Sequence, residues 1–166
     1  MMTKKNPDPA ASVATVSAGL RHPLLVTLII AGGAMICGGL IYLLCRPVLP
    51  LFLRWMETPG GGGVISSTRA VTVPLAGELP ALLVYSLPQG LWAFSYAMVI
   101  TALWSQPGRN GAERLFWLAS VPLVPLGFEW LQHTGIIAGV CSRGDLVFSL
   151  AGILSGALCG WFRRIR

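Results

Sequence analysis

Residues 24–45 read LLVTLIIAGGAMICGGLIYLLC, 22 positions without a charged side chain. A helix needs about 20 apolar residues to cross a ~30 Å hydrocarbon core. Inside that core only a helix or a closed barrel satisfies its own backbone. The stretch therefore predicts a transmembrane helix. It is too long for a cleaved signal peptide and ends in no small-x-small site, so an uncleaved anchor is expected.

Three further apolar runs follow. Leu87 to Ser105 is uncharged, with an extension upstream to Ala81 left open, Leu115 to Gln132 carries only Glu129, and Leu146 to Phe162 begins just after Asp145. The whole chain agrees with this reading: of 166 residues, 54% are hydrophobic and 11% charged. An average soluble domain carries about 25% charge, so there are too few charges here to coat a water-facing surface. A soluble enzyme, a disordered chain and a disulfide-knotted secreted domain are all excluded. The expected fold is all-α and polytopic, with spans at about 24–45, 87–105, 115–132 and 146–162 inside a membrane domain of residues 21–166. Residues 1–20, small and polar with Pro7 and Pro9, are expected to form a disordered tail.

Lys and Arg divide unevenly between the two ends of these spans. One side carries Lys4, Lys5, Arg21, Arg109, Arg114, Arg163, Arg164 and Arg166; the other carries Arg46, Arg54, Arg69 and Arg143. The richer side is expected in the cytoplasm, which puts both termini inside. Trp92 and Trp130 then mark the outer interface, and Trp104, Trp117 and Trp161 the inner one. The net charge of +6 would point a soluble protein towards nucleic acid. Here the cations sit at the ends of apolar runs, so membrane lipids are the expected partners and nucleic acid is not.

The loop at 46–80 is the only sizeable part outside the spans. Its Gly60-Gly61-Gly62-Gly63 run is followed by Val64 and Ile65, not by the Lys and Ser or Thr of a phosphate-cradling loop. Glycines disfavour a helix, and the β-branched stretch from Val64 to Val73 predicts a short extended segment or hairpin. The four cysteines form no CxxC pair, and with only two histidines no metal pattern is present. No cofactor is expected. Cys45 and Cys141 fall on the same outer side and are candidates for a disulfide.

Charged groups inside a membrane face protein or water and often mark a site. Glu129 lies about one turn inside the outer end of the third span, and Gln132, three residues on, shares its face. Asp145 opens the fourth span two residues after Arg143. These four groups are expected to converge at the outer leaflet. Gln89 and Trp92, also three apart, belong to the same mouth, with Tyr96 one turn deeper. An aromatic wall beside a polar cluster suits an amphiphilic ligand. Gly152, Gly156 and Gly160 form a stripe of small residues that lets another backbone approach. Spans three and four are expected to pack as an antiparallel hairpin, with Glu129 facing Asp145 and Arg143 at the mouth. Each polar residue also has a plainly structural reading: Asp145 as a dipole partner, Arg143 as a phosphate anchor, Glu129 as a bond to a carbonyl freed by Pro122 or Pro125.

Glu129-x-x-Gln132, a short loop, and Arg143-x-Asp145 opening an apolar helix with Gly152 resemble the VanZ-like family of small bacterial membrane proteins. Leu87-Pro88-Gln89-Gly90-Leu91-Trp92 is similar to what precedes the corresponding helix in some members, and the resemblance covers about residues 79–160. The last helix departs from that pattern, with Phe148 and Ser149 and no Asn after them. The resemblance implies a role in the cell envelope, for which reduced susceptibility to teicoplanin-type glycopeptides is the named example.

The leading expectation is a non-enzymatic bacterial inner-membrane protein. It would bind an envelope lipid or lipid-linked cell-wall intermediate through Glu129, Gln132, Arg143 and Asp145, with Arg143 on an anionic head group. One alternative is an accessory subunit of a larger membrane complex, or a homo-oligomer. Another is an intramembrane enzyme that modifies a lipid head group with its carboxylate pair. No nucleophile with a partnered base accompanies that pair, although His133 lies beside Gln132.

Overall fold

The computed structural model of the chain describes residues 9–47, 62–137 and 142–163. Among the described residues five α-helices run in the order α1 (Pro9–Cys45), α2 (Gly62–Ala76), α3 (Leu87–Trp104), α4 (Gly111–His133) and α5 (Arg143–Phe162), with a π-helical stretch at Leu82–Ser86 leading directly into α3. No strand occurs among the described residues. Four segments are long and apolar enough to cross a membrane: Leu24–Cys45, Leu82–Trp104, Gly111–His133 and Arg143–Phe162. Of the tail expected to be disordered, residues 1–8 lie outside the described residues, and from Pro9 the chain is helical.

The helix ends follow from local chemistry. Asn110 caps α4 by accepting from the Ala112 amide at 3.1 Å, and Glu113 sits in the first turn, where the helix dipole favours an anion. Ser142 caps α5 by accepting from the Asp145 amide at 3.0 Å. Beyond α4 the chain turns at Gly135, whose φ of 74° would strain any other residue. The π-helical stretch has its cause in Pro88. That residue has no N–H to offer the Val84 carbonyl and its ring would collide with it. The Leu87 amide accordingly bonds one residue further back, to Leu82 O.

α3 is the centre of the bundle, and α1, α4 and α5 all pack against it. Its closest neighbour is α5. A Cβ on Gly152 would collide with the Gly90 carbonyl, one on Gly156 with the Phe94 carbonyl, and one on Gly160 with the Met98 carbonyl. Residue numbers rise together along both helices, so the pair is parallel. This corrects the expected hairpin of the third and fourth spans: α4 and α5 touch only lightly, and the glycine stripe serves α3. The reason lies in the facing surface. α3 offers Gly90 and Ala97 to the stripe, so both backbones can approach, whereas α4 has the bulk of Leu126 and Trp117.

α1 packs antiparallel to α3. Ser95 Oγ lies 2.8 Å from both Ala31 O and Leu91 O, and Trp92 Nε1 donates to Met35 O at 3.3 Å. At the opposite end, Trp104 stacks on Trp117 with ring centroids 5.6 Å apart. Large apolar side chains such as Leu115, Phe116, Leu123, Leu154 and Phe162 point outward, as a lipid-facing surface requires.

The stretch expected to be extended is instead the helix α2. Its Ser66 and Ser67 hydroxyls donate to Gly63 O at 3.0 and 2.7 Å. Arg69 is 8% exposed and donates to the carbonyls of Leu43, Arg46 and Pro47, while Thr72 Oγ1 donates to Leu44 O at 2.7 Å. Those carbonyls belong to the end of α1, where a helix leaves its last acceptors without internal donors. Residues three apart share a face in a helix but point to opposite faces in a strand. Only the helical form turns both Arg69 and Thr72 towards α1, and this tertiary demand overrides the β-branched composition.

Candidate functional site

A cavity of about 600 Å³ opens at the end of the bundle where α1 stops and α5 starts. Its floor is α3, through Gln89, Trp92, Ala93 and Tyr96. One wall is the last part of α1 with Met35 and Tyr42, continued by Arg46 just past its end; the facing wall is α4 with Val124, Pro125, Phe128, Glu129 and Gln132. Asp145, in the first turn of α5, and Tyr85, in the π-helical stretch, complete it. Among the described residues α1 and α4 share no extensive interface. The cavity is therefore a cleft between two helices that touch a common third one, open towards the side of the bundle.

Five residues picked out by the sequence pattern line this one cavity: Gln89, Trp92, Glu129, Gln132 and Asp145. Glu129 is the most enclosed, at 4% exposed. Its position follows from the 3.6-residue period of α4, which turns Val121, Pro125 and Glu129 inward together. Arg143 is not among them; as the first residue of α5 it is exposed and points away. Two positions before Asp145, it lies on the other side of the helix, since residues i and i+2 do not face the same way.

The cation of the cavity is Arg46, which sequence reasoning treated only as an anchor for the end of the first span. Its guanidinium lies 4.0 Å from the Tyr42 ring centroid and 5.4 Å from that of Tyr85. Its Nη2 donates to Tyr85 O at 2.9 Å. The backbone of Arg46 is held separately: Arg69 Nη2 donates to Arg46 O at 2.8 Å. Arg69 is thus a positioning residue. The available signal was that Arg46 and Asp145 fall at the same end of a four-span bundle, and that Tyr42 stands one helical turn before Arg46.

Two buried polar atoms on half-buried residues of the cavity have no hydrogen-bond partner among the described residues. They are Arg46 Nε, a donor, and Asp145 Oδ1, an acceptor. Leaving such groups unmet costs roughly 1–3 kcal/mol each, more when charged. Deeper in, Tyr96 OH lies 2.7 Å from Ser120 Oγ, which in turn donates to Trp117 O at 2.6 Å. That chain fixes Tyr96 against α4. Trp92 is fixed against α1 by its bond to Met35 O and by Tyr42, 5.5 Å away between ring centroids. The aromatic walls are therefore pre-formed.

The arrangement can bind; nothing in it is a nucleophile placed on a base. No group of His, Cys, Asp and Glu positioned to hold a metal occurs among the described residues. His133 sits outside the cavity, exposed, with its ring 6.2 Å from that of Trp130. Of the candidate disulfide, Cys45 is a free thiol and Cys141 lies outside the described residues. Compared with known proteins, the chain matches no family model, no curated protein and no solved structure.

Proposed function

We propose that this chain is a bacterial inner-membrane protein of the cell envelope, of the kind the VanZ-like resemblance implies. It binds a lipid or lipid-linked cell-wall intermediate in the cleft between α1 and α4. Both termini lie in the cytoplasm, so the cleft mouth stands at the outer leaflet. The basic-residue imbalance between the two ends of the spans supports that orientation.

One observation carries the proposal: the cleft is charged at one end, aromatic and apolar along its walls, and among the described residues α1 and α4 do not seal its side. A soluble metabolite needs no lateral opening into lipid. An amphiphile needs all three features: Arg46 for an anionic group, Tyr42, Trp92, Tyr96 and Phe128 for the first part of a chain, and the gap for the remainder. Guanidinium suits a phosphate because its planar fork presents paired donors. In this reading Arg46 takes the role that the sequence pattern gave to Arg143.

The test is native mass spectrometry of the full chain purified in a mild detergent. A lipid-sized adduct is expected on the wild-type protein. Arg46→Ala should remove it while expression and monodispersity stay normal, and Arg143→Ala should leave it in place. A wild-type protein free of adduct, or one that co-purifies only with a stoichiometric larger protein, would replace the lipid reading with that of an accessory subunit.

A further inference from the structure

We infer that the cleft takes a zwitterionic head group, a phosphate ester that also carries a primary ammonium, in preference to a purely anionic one. The inference rests on the lipid-site reading above and names the class of ligand for that same site.

The charges on the wall are the first reason. Arg46 is accompanied by two carboxyl side chains, Glu129 and Asp145. A bare phosphodiester would gain Arg46 as a partner but would bring its negative charge beside the Asp145 carboxylate in a poorly solvated space, where like charges repel strongly. An ammonium on the same head group turns that neighbour into a partner.

The two buried atoms without partners are the second. Arg46 Nε needs an acceptor and Asp145 Oδ1 needs a donor. An occupant that completes both must carry both kinds of group. A phosphate oxygen meets the first need, and an ammonium N–H meets the second.

The third reason separates a primary ammonium from a trimethylated one. Quaternary ammonium groups are held by the free faces of aromatic rings. Here Arg46 already stands over the Tyr42 ring at 4.0 Å and 5.4 Å from the Tyr85 ring, while Trp92, Tyr96 and Phe128 line the part of the cleft assigned above to the chain. What remains for the cationic end is carboxylate oxygen, which rewards N–H donors and gains no hydrogen bond from methyl groups.

The experiment is head-group competition on the wild-type full chain by native mass spectrometry. Phosphatidylethanolamine, phosphatidylcholine and phosphatidylglycerol with matched acyl chains are offered together in equal amounts. Retention of phosphatidylethanolamine about tenfold above each of the others is expected, the size of one charge-assisted hydrogen bond. Asp145→Asn should reduce that preference to about twofold or less while lipid is still bound. Equal retention of the three lipids, or a preference for the glycerol or choline head group, overturns the inference and leaves the lipid site standing. No retention of any lipid removes the site itself. Soluble phosphoethanolamine at the same concentration should leave the lipid bound; displacement would make the ligand a free metabolite and overturn the proposal. The competition needs no variant, so a misfolded Asp145→Asn protein would not blunt it.

Discussion

Towards α5, the helix α3 presents Gly90 and Ala97, and the two backbones meet. Towards the gap between α1 and α4, the same helix presents Gln89, Trp92 and Tyr96, and its neighbours stand apart around a cavity of about 600 Å³. The difference is not one of hydrophobicity. Lipid chains are as apolar as leucine, so burying apolar side chains does little to join helices in a bilayer. What joins them is close approach, and close approach is granted by missing side chains. On the other face, large rings tied down by Met35 O and Ser120 Oγ prop the helices open. One helix thus seals on one side and gapes on the other, according to side-chain volume.

The largest effect should come from closing the comparison at its tight side. Gly156→Leu drives a side chain into the Phe94 carbonyl. We expect a loss upwards of about 3 kcal/mol, read as a lower thermal midpoint or aggregation in detergent. A wild-type midpoint would mean that the α3–α5 contact does not hold the bundle together. Next comes Arg69→Ala, which removes the donors serving Leu43 O, Arg46 O and Pro47 O. It should cost about 2 kcal/mol and weaken lipid retention as well, because Arg46 loses its backbone tether. Stability lost with retention intact would separate the α2 clamp from the site. On the open side, Tyr96→Phe deletes one hydrogen bond and should cost about 1 kcal/mol, measured by the same unfolding assay, with the cleft still occupied. Smallest is Gly127→Ala. No atom lies within 4 Å of the added methyl, so this helix-interior glycine should gain about 0.5–1 kcal/mol. A loss there would show that α4 has a neighbour the isolated chain does not reveal.

The four spans were legible because they depend on composition over some twenty residues, and Leu24–Cys45 needed no tertiary information at all. The second span begins at Leu82, close to the upstream limit at Ala81 that its uncharged sequence allows, because the π-helical stretch carries the helix through Pro88. Helix pairing was less legible. The stripe Gly152, Gly156 and Gly160 announces a close contact but not its partner, since complementarity needs the second surface, here Gly90 and Ala97. The site followed the same rule. Glu129 and Asp145 stand out because a carboxyl in apolar sequence is costly. Arg46 did not, since a cation at the end of a span looks like an ordinary anchor, and only its stacking on Tyr42 turns it inward. α2 was missed for the most general reason. Its Val and Thr content favours a strand, and the pull that makes it helical comes from carbonyls more than twenty residues away.

The central position of α3 bears on how the protein is made. A ribosome delivers α1, then α3, then α4, and only last α5, yet α5 is the partner that α3 holds most closely. Until the final segment leaves the translocon, the groove around Gly90 and Phe94 lies bare in lipid, available to any other small-faced helix nearby. The packing of α3 is therefore complete only once α5 has been made, and a product truncated before Arg143 would enter the bilayer with its adhesive side uncovered.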